Sequence, residues 1–287
     1  MASDEIEAGL DDDREIRSSD KRLTTEAMAG KTLYRVFLTG YGPFRDHSIN
    51  SSFEIIKDLS NRRIRLNQGD LNDEELVEIE FKVYSDPIKV SYSTVRSLIP
   101  RIYLSNRQDS QEKRALIESL NGSEIKDQPS KYDLIIHLGL DNKLSKHSYS
   151  IENLAHRDGY KLADADGKFG NCIDSNDSND WEDWSGSPEL LKTSVDVDLI
   201  VQILKSKVPD ANIRSSTDAG RYLCEYIYYA SLCHHYSLKN SNSSRTKDFL
   251  PVLFLHVPSS IEDHQIEFGR KVLVETVKAV VNSHFIK

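Results

Sequence analysis

Residues 134–138 read Leu134-Ile135-Ile136-His137-Leu138, an apolar run broken only by the histidine. A short continuous run of this kind marks a strand buried on both faces, and such strands belong to parallel sheets covered by helices. Residues 252–257, Val252-Leu253-Phe254-Leu255-His256-Val257, repeat the pattern. Tyr34–Thr39 is a third such strand, Val77–Tyr84 is strand-like, and another strand begins at Ile213. Between them, Ser51–Leu59, Ser91–Tyr103, Val197–Val208, Arg221–Tyr236 and Glu262–Val281 carry helical spacing. Strands alternating with helices predict an α/β fold, three-layered α/β/α around a mostly parallel central sheet. Four polar segments, Asn61–Asp73, Asn106–Lys131, Asp174–Ser187 and Leu238–Asp248, read as surface insertions outside that skeleton.

Length and composition fit this reading. The chain has 287 residues and 32.7 kDa, with 38% hydrophobic and 29% charged residues and a mean hydropathy of -0.52. Its 37 basic and 46 acidic residues leave a net charge of -9, the opposite of the basic face that nucleic-acid binding requires. No apolar stretch approaches the roughly eighteen residues of a membrane span. Three cysteines, Cys172, Cys224 and Cys233, are too few and too odd for a disulfide scaffold, so a reducing, cytoplasmic setting is expected. Residues 1–30 hold nine acidic and four basic residues. They lack a basic segment followed by an apolar one, and read as a disordered acidic arm before a single domain over 31–287.

In open α/β sheets ligands gather at the carboxyl ends of the strands, which directs attention to the residues after Thr39, Leu138, Ser215 and Leu255. Gly40-Tyr41-Gly42-Pro43-Phe44 is a tight turn that fits neither a dinucleotide fingerprint nor a phosphate loop; its two aromatics suit a small flat ring equally well. Cys224 follows Ser216-Thr217-Asp218, good capping residues, and so falls in the first turn of a helix. Unpaired N–H groups there favour a thiolate, although a cysteine flanked by Leu223, Tyr226 and Ile227 is, by composition, more often a buried small hydrophobe. His256 ends a strand before Val257-Pro258, a fitting place for a general base; His137, in mid-strand, better suits a core histidine. Either would need a carboxylate or amide to orient it, and Glu152 is one of many acids. Cys233-His234-His235 invites a metal, but adjacent helical residues point in different directions, so no metal site is expected.

Taken together these residues resemble pyroglutamyl peptidase I, the pyrrolidone-carboxylate cysteine peptidase family. Val36-Phe37-Leu38-Thr39-Gly40-Tyr41-Gly42-Pro43-Phe44 is similar to that family's first strand and turn, with Asn50 at its following asparagine. His137-Leu138-Gly139-Leu140 is similar to its central strand, and Asp218-Ala219-Gly220-Arg221-Tyr222-Leu223-Cys224 to its nucleophile segment. His256-Val257-Pro258 resembles its histidine strand, and Glu152 stands at its glutamate. The resemblance runs from about Thr32 to the C-terminus. Tyr41 departs from it, since phenylalanine is usual there, and Ser51 replaces a proline.

The resemblance implies removal of an N-terminal 5-oxoproline from small peptides without metal or cofactor. It casts Cys224 as nucleophile, His256 as acid and base, and Glu152 as the group orienting His256. Tyr41, Phe44, Asn50, Asn142 and Leu223 become the substrate-binding residues, with the Tyr41 hydroxyl beside the ligand ring. The segment Asp174–Ser187, with Trp181 and Trp184, is expected to shape a lid. The wider fold resembles purine nucleoside phosphorylases and peptidyl-tRNA hydrolases, which matches the architecture but not the spacing of Glu152, Cys224 and His256. A protein that binds pyroglutamyl peptides with little or no turnover is the alternative. Monomer and homo-oligomer both remain open.

Overall fold

The structure, a computed structural model, describes residues 31–66, 76–105, 132–170, 184–240 and 250–286. The acidic arm, Cys172, Trp181, the segment 106–131 and residues 174–183 of the expected lid lie outside them. Its strands are β1 (Lys31–Gly40), β2 (Arg63–Arg65), β3 (Leu76–Val83), β4 (Leu134–Leu140), β5 (Ser148–Glu152), β6 (Leu154–His156), β7 (Leu190–Lys192), β8 (Asn212–Ser216) and β9 (Val252–Val257). The α-helices are α1 (Ser51–Ile56), α2 (Tyr92–Ser105), α3 (Val197–Lys207), α4 (Leu223–Asn240) and α5 (Asp263–Val280).

Seven strands form one sheet in the order β2-β3-β1-β4-β9-β5-β8, and β6 pairs with β7 in a small second sheet. Strands β3, β1, β4 and β9 run parallel. Strand β5 lies antiparallel to β9 and parallel to β8, and β2 is an antiparallel edge on β3. The mostly parallel sheet expected from the sequence is therefore present.

Alternation along the strands divides the core into two layers. Leu38, Ile136 and Leu255 pack with Ile55, Ile56, Ile200, Leu204, Val272 and Val277 of α1, α3 and α5. Phe37, Ile135 and Phe254, one residue away in each strand, pack with Val95 and Ile99 of α2 and Ile227 and Ala230 of α4. Side-chain caps start two of the helices. Asn50 accepts from the Ser52 N–H at 3.1 Å to start α1, and Asp196 accepts from Leu199 at 3.0 Å to start α3.

Two expectations need correction. The segment Asn61–Asp73 is not wholly outside the skeleton, because Arg63–Arg65 forms β2. Its arginines alternate with Ile64 and pair with two buried carboxylates, Arg63 with Glu80 at 2.9 Å and Arg65 with Glu78 at 3.4 Å. The polar look of the segment comes from this edge pairing. Helix α4 also runs to Asn240, into the segment read as beginning an insertion at Leu238.

Candidate active site

Strands β4 and β9 are neighbours in register, with Gly139 opposite His256. His256 shares a strand face with Phe254, so its ring is directed to the α4 side of the sheet. Across β9, the antiparallel register sets Ser150 opposite His256 and Glu152 opposite Phe254. This places the Glu152 carboxylate on the same face, and its Oε1 lies 2.8 Å from His256 Nδ1. The remaining oxygen, Oε2, is buried without a hydrogen-bond partner among the described residues.

Cys224 is the second residue of α4, within the first turn as expected, although Ser216 and Asp218 do not cap that helix and instead bond the N–H groups of Asp218 and Gly220 in the turn before it. The first N–H groups of a helix have no intrahelical acceptor, so the Cys224 sulfur stands beside backbone donors. A methyl group built on Gly139 would lie 2.7 Å from the Cys224 Sγ and 2.7 Å from Phe254 Cζ. The sulfur therefore rests on the bare Cα of the residue paired with His256. Burial works to lower the His256 pKa, but hydrogen bonds to Cys224 and Glu152, together with their charges, outweigh it and raise the group to about 10. Thiol, imidazole and carboxylate thus stand in sequence with the proton held on the imidazole through neutral pH. Such a row can attack a carbonyl carbon and hand a proton to a leaving amine.

The approach to α4 is braced by a carboxylate that sequence reading passed over. Glu225 has no solvent exposure. Its oxygens accept from the Arg221 backbone N–H at 3.0 Å and the Arg221 guanidinium at 2.8 Å. They also accept from the His156 backbone N–H at 3.1 Å and lie 2.8 Å from His156 Nδ1. This bracket holds a chain that passes through left-handed backbone at Gly220 (φ 94) and Arg221 (φ 47). The four-residue spacing of Arg221 and Glu225 was a signal available in the sequence.

The expected binding residues separate into groups. Tyr41 is buried just after β1, and its hydroxyl donates to the Leu223 carbonyl at 2.6 Å, next to Cys224. Phe44 packs on Tyr222 with ring centroids 5.6 Å apart, and the Arg45 guanidinium lies 4.8 Å from the Phe44 centroid. Asn50 stands behind the turn, donating to the Gly42 carbonyl at 2.9 Å while its Oδ1 caps α1. Asn142 is exposed in the turn after β4.

His137 is a core histidine, as expected of its mid-strand place. It lies 2.7 Å from Thr39 Oγ1 and 2.8 Å from Ser231 Oγ, and burial lowers its pKa to about 3. In the Cys233-His234-His235 run, Cys233 contacts Ser187 Oγ at 3.1 Å while the His234 ring packs at a tilt against Tyr103. Trp184, from the expected lid segment, is buried against Tyr226 and Tyr229.

No family model matches the chain. Proteins named pyroglutamyl-peptidase 1 from Rattus norvegicus and Homo sapiens are each 27% identical to it over 197 residues, 69% of this chain and 72% of theirs. Among solved structures, a mutant pyrrolidone carboxyl peptidase from P. furiosus is similar with a TM-score of 0.53 at 19% identity, over 88% of this chain and 100% of that one. The pyroglutamyl peptidase I of Bacillus amyloliquefaciens has a TM-score of 0.50 at 18% identity, over 88% of this chain and 97% of that one. The chain is thus a homologue of the pyroglutamyl-peptidase 1 proteins and has the fold of the pyrrolidone carboxyl peptidases.

Proposed function

We propose that residues 31–287 form one catalytic domain, a cysteine exopeptidase that hydrolyses the bond after an N-terminal pyroglutamyl residue. The observation that carries this reading is the row formed by Cys224, His256 and Glu152 at the carboxyl ends of β4 and β9, with Nδ1 and Oε1 2.8 Å apart. Cys224 attacks the main-chain carbonyl of the pyroglutamyl residue, and the helix-start N–H groups receive the developing oxyanion. His256 gives its proton to the leaving amine, and Glu152 holds the ring and balances the imidazolium. Water, deprotonated by His256, then cleaves the thioester and frees pyroglutamate. Each of these steps is complete without a metal or cofactor. Binding without turnover has no observation in its favour.

The substrate end needs no carboxylate anchor, because a lactam lacks the cationic amine of ordinary peptides. Free thiols at Cys224 and Cys233 support a cytoplasmic setting. Comparing pyroglutamyl- and prolyl-aminocoumarin tests the reading. Proline has the same ring size but a charged amine and no lactam carbonyl, and a site built on hydrogen bonds rejects such a mismatch by about 10⁴-fold. Similar kcat/KM values for the two, or no release from the pyroglutamyl substrate, would overturn it.

Gly139→Ala makes a further expectation. The added methyl would meet Cys224 Sγ at 2.7 Å, a distance that forces the sulfur or the Phe254 ring to move. Displacing a reacting atom by about 1 Å costs on the order of 10²-fold. We therefore expect a folded variant whose kcat/KM is about a hundredfold lower, measured beside its circular dichroism; parental activity would mean that the sulfur does not work from this seat.

A further inference from the structure

We propose that the Tyr41 hydroxyl oxygen accepts the ring N–H of the substrate's lactam and so decides which five-membered rings this site takes. The proposal rests on the pyroglutamyl-peptidase reading. In a pyroglutamyl residue the ring nitrogen is bonded to the carbon that bears the scissile carbonyl. Wherever the thiol attacks, an acceptor for that N–H must therefore lie beside the nucleophile. A ring N–H taken out of water without an acceptor is strongly disfavoured.

Tyr41 meets the requirement. It is 3% exposed, and its hydroxyl is bonded to the carbonyl of Leu223, the residue before Cys224. A phenol has one proton, and here that proton is committed at 2.6 Å. What remains at Tyr41 Oη is acceptor capacity, and no donor among the described residues reaches it. The same bond occupies the Leu223 carbonyl, the neighbouring backbone acceptor. Burial, with Cys224, Tyr92 and Tyr222 close by, keeps the phenol protonated by holding its pKa well above the ordinary value.

Two nearby phenols are less suited. Tyr222 donates to the Ala163 carbonyl at 3.0 Å, and its oxygen also receives Arg45. Tyr92 donates to the Leu162 carbonyl at 3.0 Å, away from the start of α4. Phenylalanine, which the family resemblance leads one to expect at position 41, supplies the ring face but no oxygen.

The test compares pyroglutamyl-aminocoumarin with its carbocyclic counterpart, 3-oxocyclopentane-carbonyl-aminocoumarin, in which CH₂ replaces the ring N–H. The quantity read is the ratio of kcat/KM for the two substrates. In the parent protein the lactam should be preferred. Tyr41→Phe should lower that preference by about tenfold to a hundredfold, the range for one hydrogen bond to a buried group. Tyr103→Phe is the matched control, because Tyr103 also spends a buried hydroxyl on a backbone carbonyl, that of Ser231 at 3.0 Å; its ratio should stay parental. Tyr41→Met gives a second oxygen-free variant should the phenylalanine protein fold poorly. An unchanged ratio in a folded Tyr41 variant, or an equal shift in Tyr103→Phe, would overturn the proposal. Failure of the parent to cleave the pyroglutamyl substrate at all is a different result, and it would overturn the functional reading instead.

Discussion

Cys224→Ala is expected to fold as the parent does and to release no measurable aminocoumarin from a pyroglutamyl substrate. The sulfur is partly buried on Gly139 and beside Phe254, so its loss leaves a small gap that costs about 1 kcal/mol or less. The rate, by contrast, should fall by about 10⁴-fold or more, since acyl transfer loses its only nucleophile. The other cysteines provide the comparison. Cys233 is buried further along α4 against Ser187, and Cys233→Ala should keep near-parental turnover with at most a modest loss of stability. Cys172→Ala should also stay active. Peptidase activity surviving in purified Cys224→Ala protein would sink the mechanism.

His256→Ala should lose about 10³–10⁴-fold, because both proton transfer to the leaving amine and activation of the thiol depend on the ring. Glu152→Gln should be milder. The amide oxygen can still accept from Nδ1, but one of the charges that raise His256 is gone. The sign follows directly. His256 carries its proton up to about pH 10, and activity that uses the protonated ring declines as pH rises through that value. Without the Glu152 charge the alkaline limb of kcat/KM should move to lower pH. A pH profile of the two proteins decides the matter. Parental rate and profile in Glu152→Gln would remove Glu152 from the mechanism, whereas inactivity equal to Cys224→Ala would assign it more than orientation.

Much of the skeleton was legible because its strands are apolar throughout. LIIHL and VLFLHV have no solvated face, and they became the central strands β4 and β9. Strand β5 was not legible. Its five residues Ser148-Tyr149-Ser150-Ile151-Glu152 are all buried, yet three are polar. Ser148, Ser150 and Glu152 share the face turned to the site, so the residue proposed to orient His256 disguises the strand that carries it. Its reversed direction against β9 has no compositional mark at all.

Within the site, His256 was legible through the strand end and Cys224 through its place just after a polar turn, although the residues read as caps bond within that turn instead. Glu152 was one acid among many until the family resemblance singled it out. Gly139 entered only as part of the strand that carries the resemblance, because only the position of the Cys224 sulfur shows why its missing side chain matters. The partner of the Tyr41 hydroxyl was equally hidden. Leu223 lies 182 residues away in sequence, and nothing local brings the two together.

The place of β9 in the sheet bears on how the protein comes into being. It is the last described strand in chain order, yet it sits between β4 and β5. A chain emerging from the ribosome would first complete β2-β3-β1-β4 on one side and β5-β8 on the other, with the seam between them open. Contacts this distant in sequence form late, since the intervening chain must be closed before they reward it. His256 arrives only with the strand that closes the seam, and Glu152 meets its partner only then. The thiol at Cys224 is already synthesised by that stage, but it stands without the imidazole proposed to activate it. On the proposed mechanism a chain that lacks β9 should therefore be inactive, and only α5 is left to pack once that strand is in place.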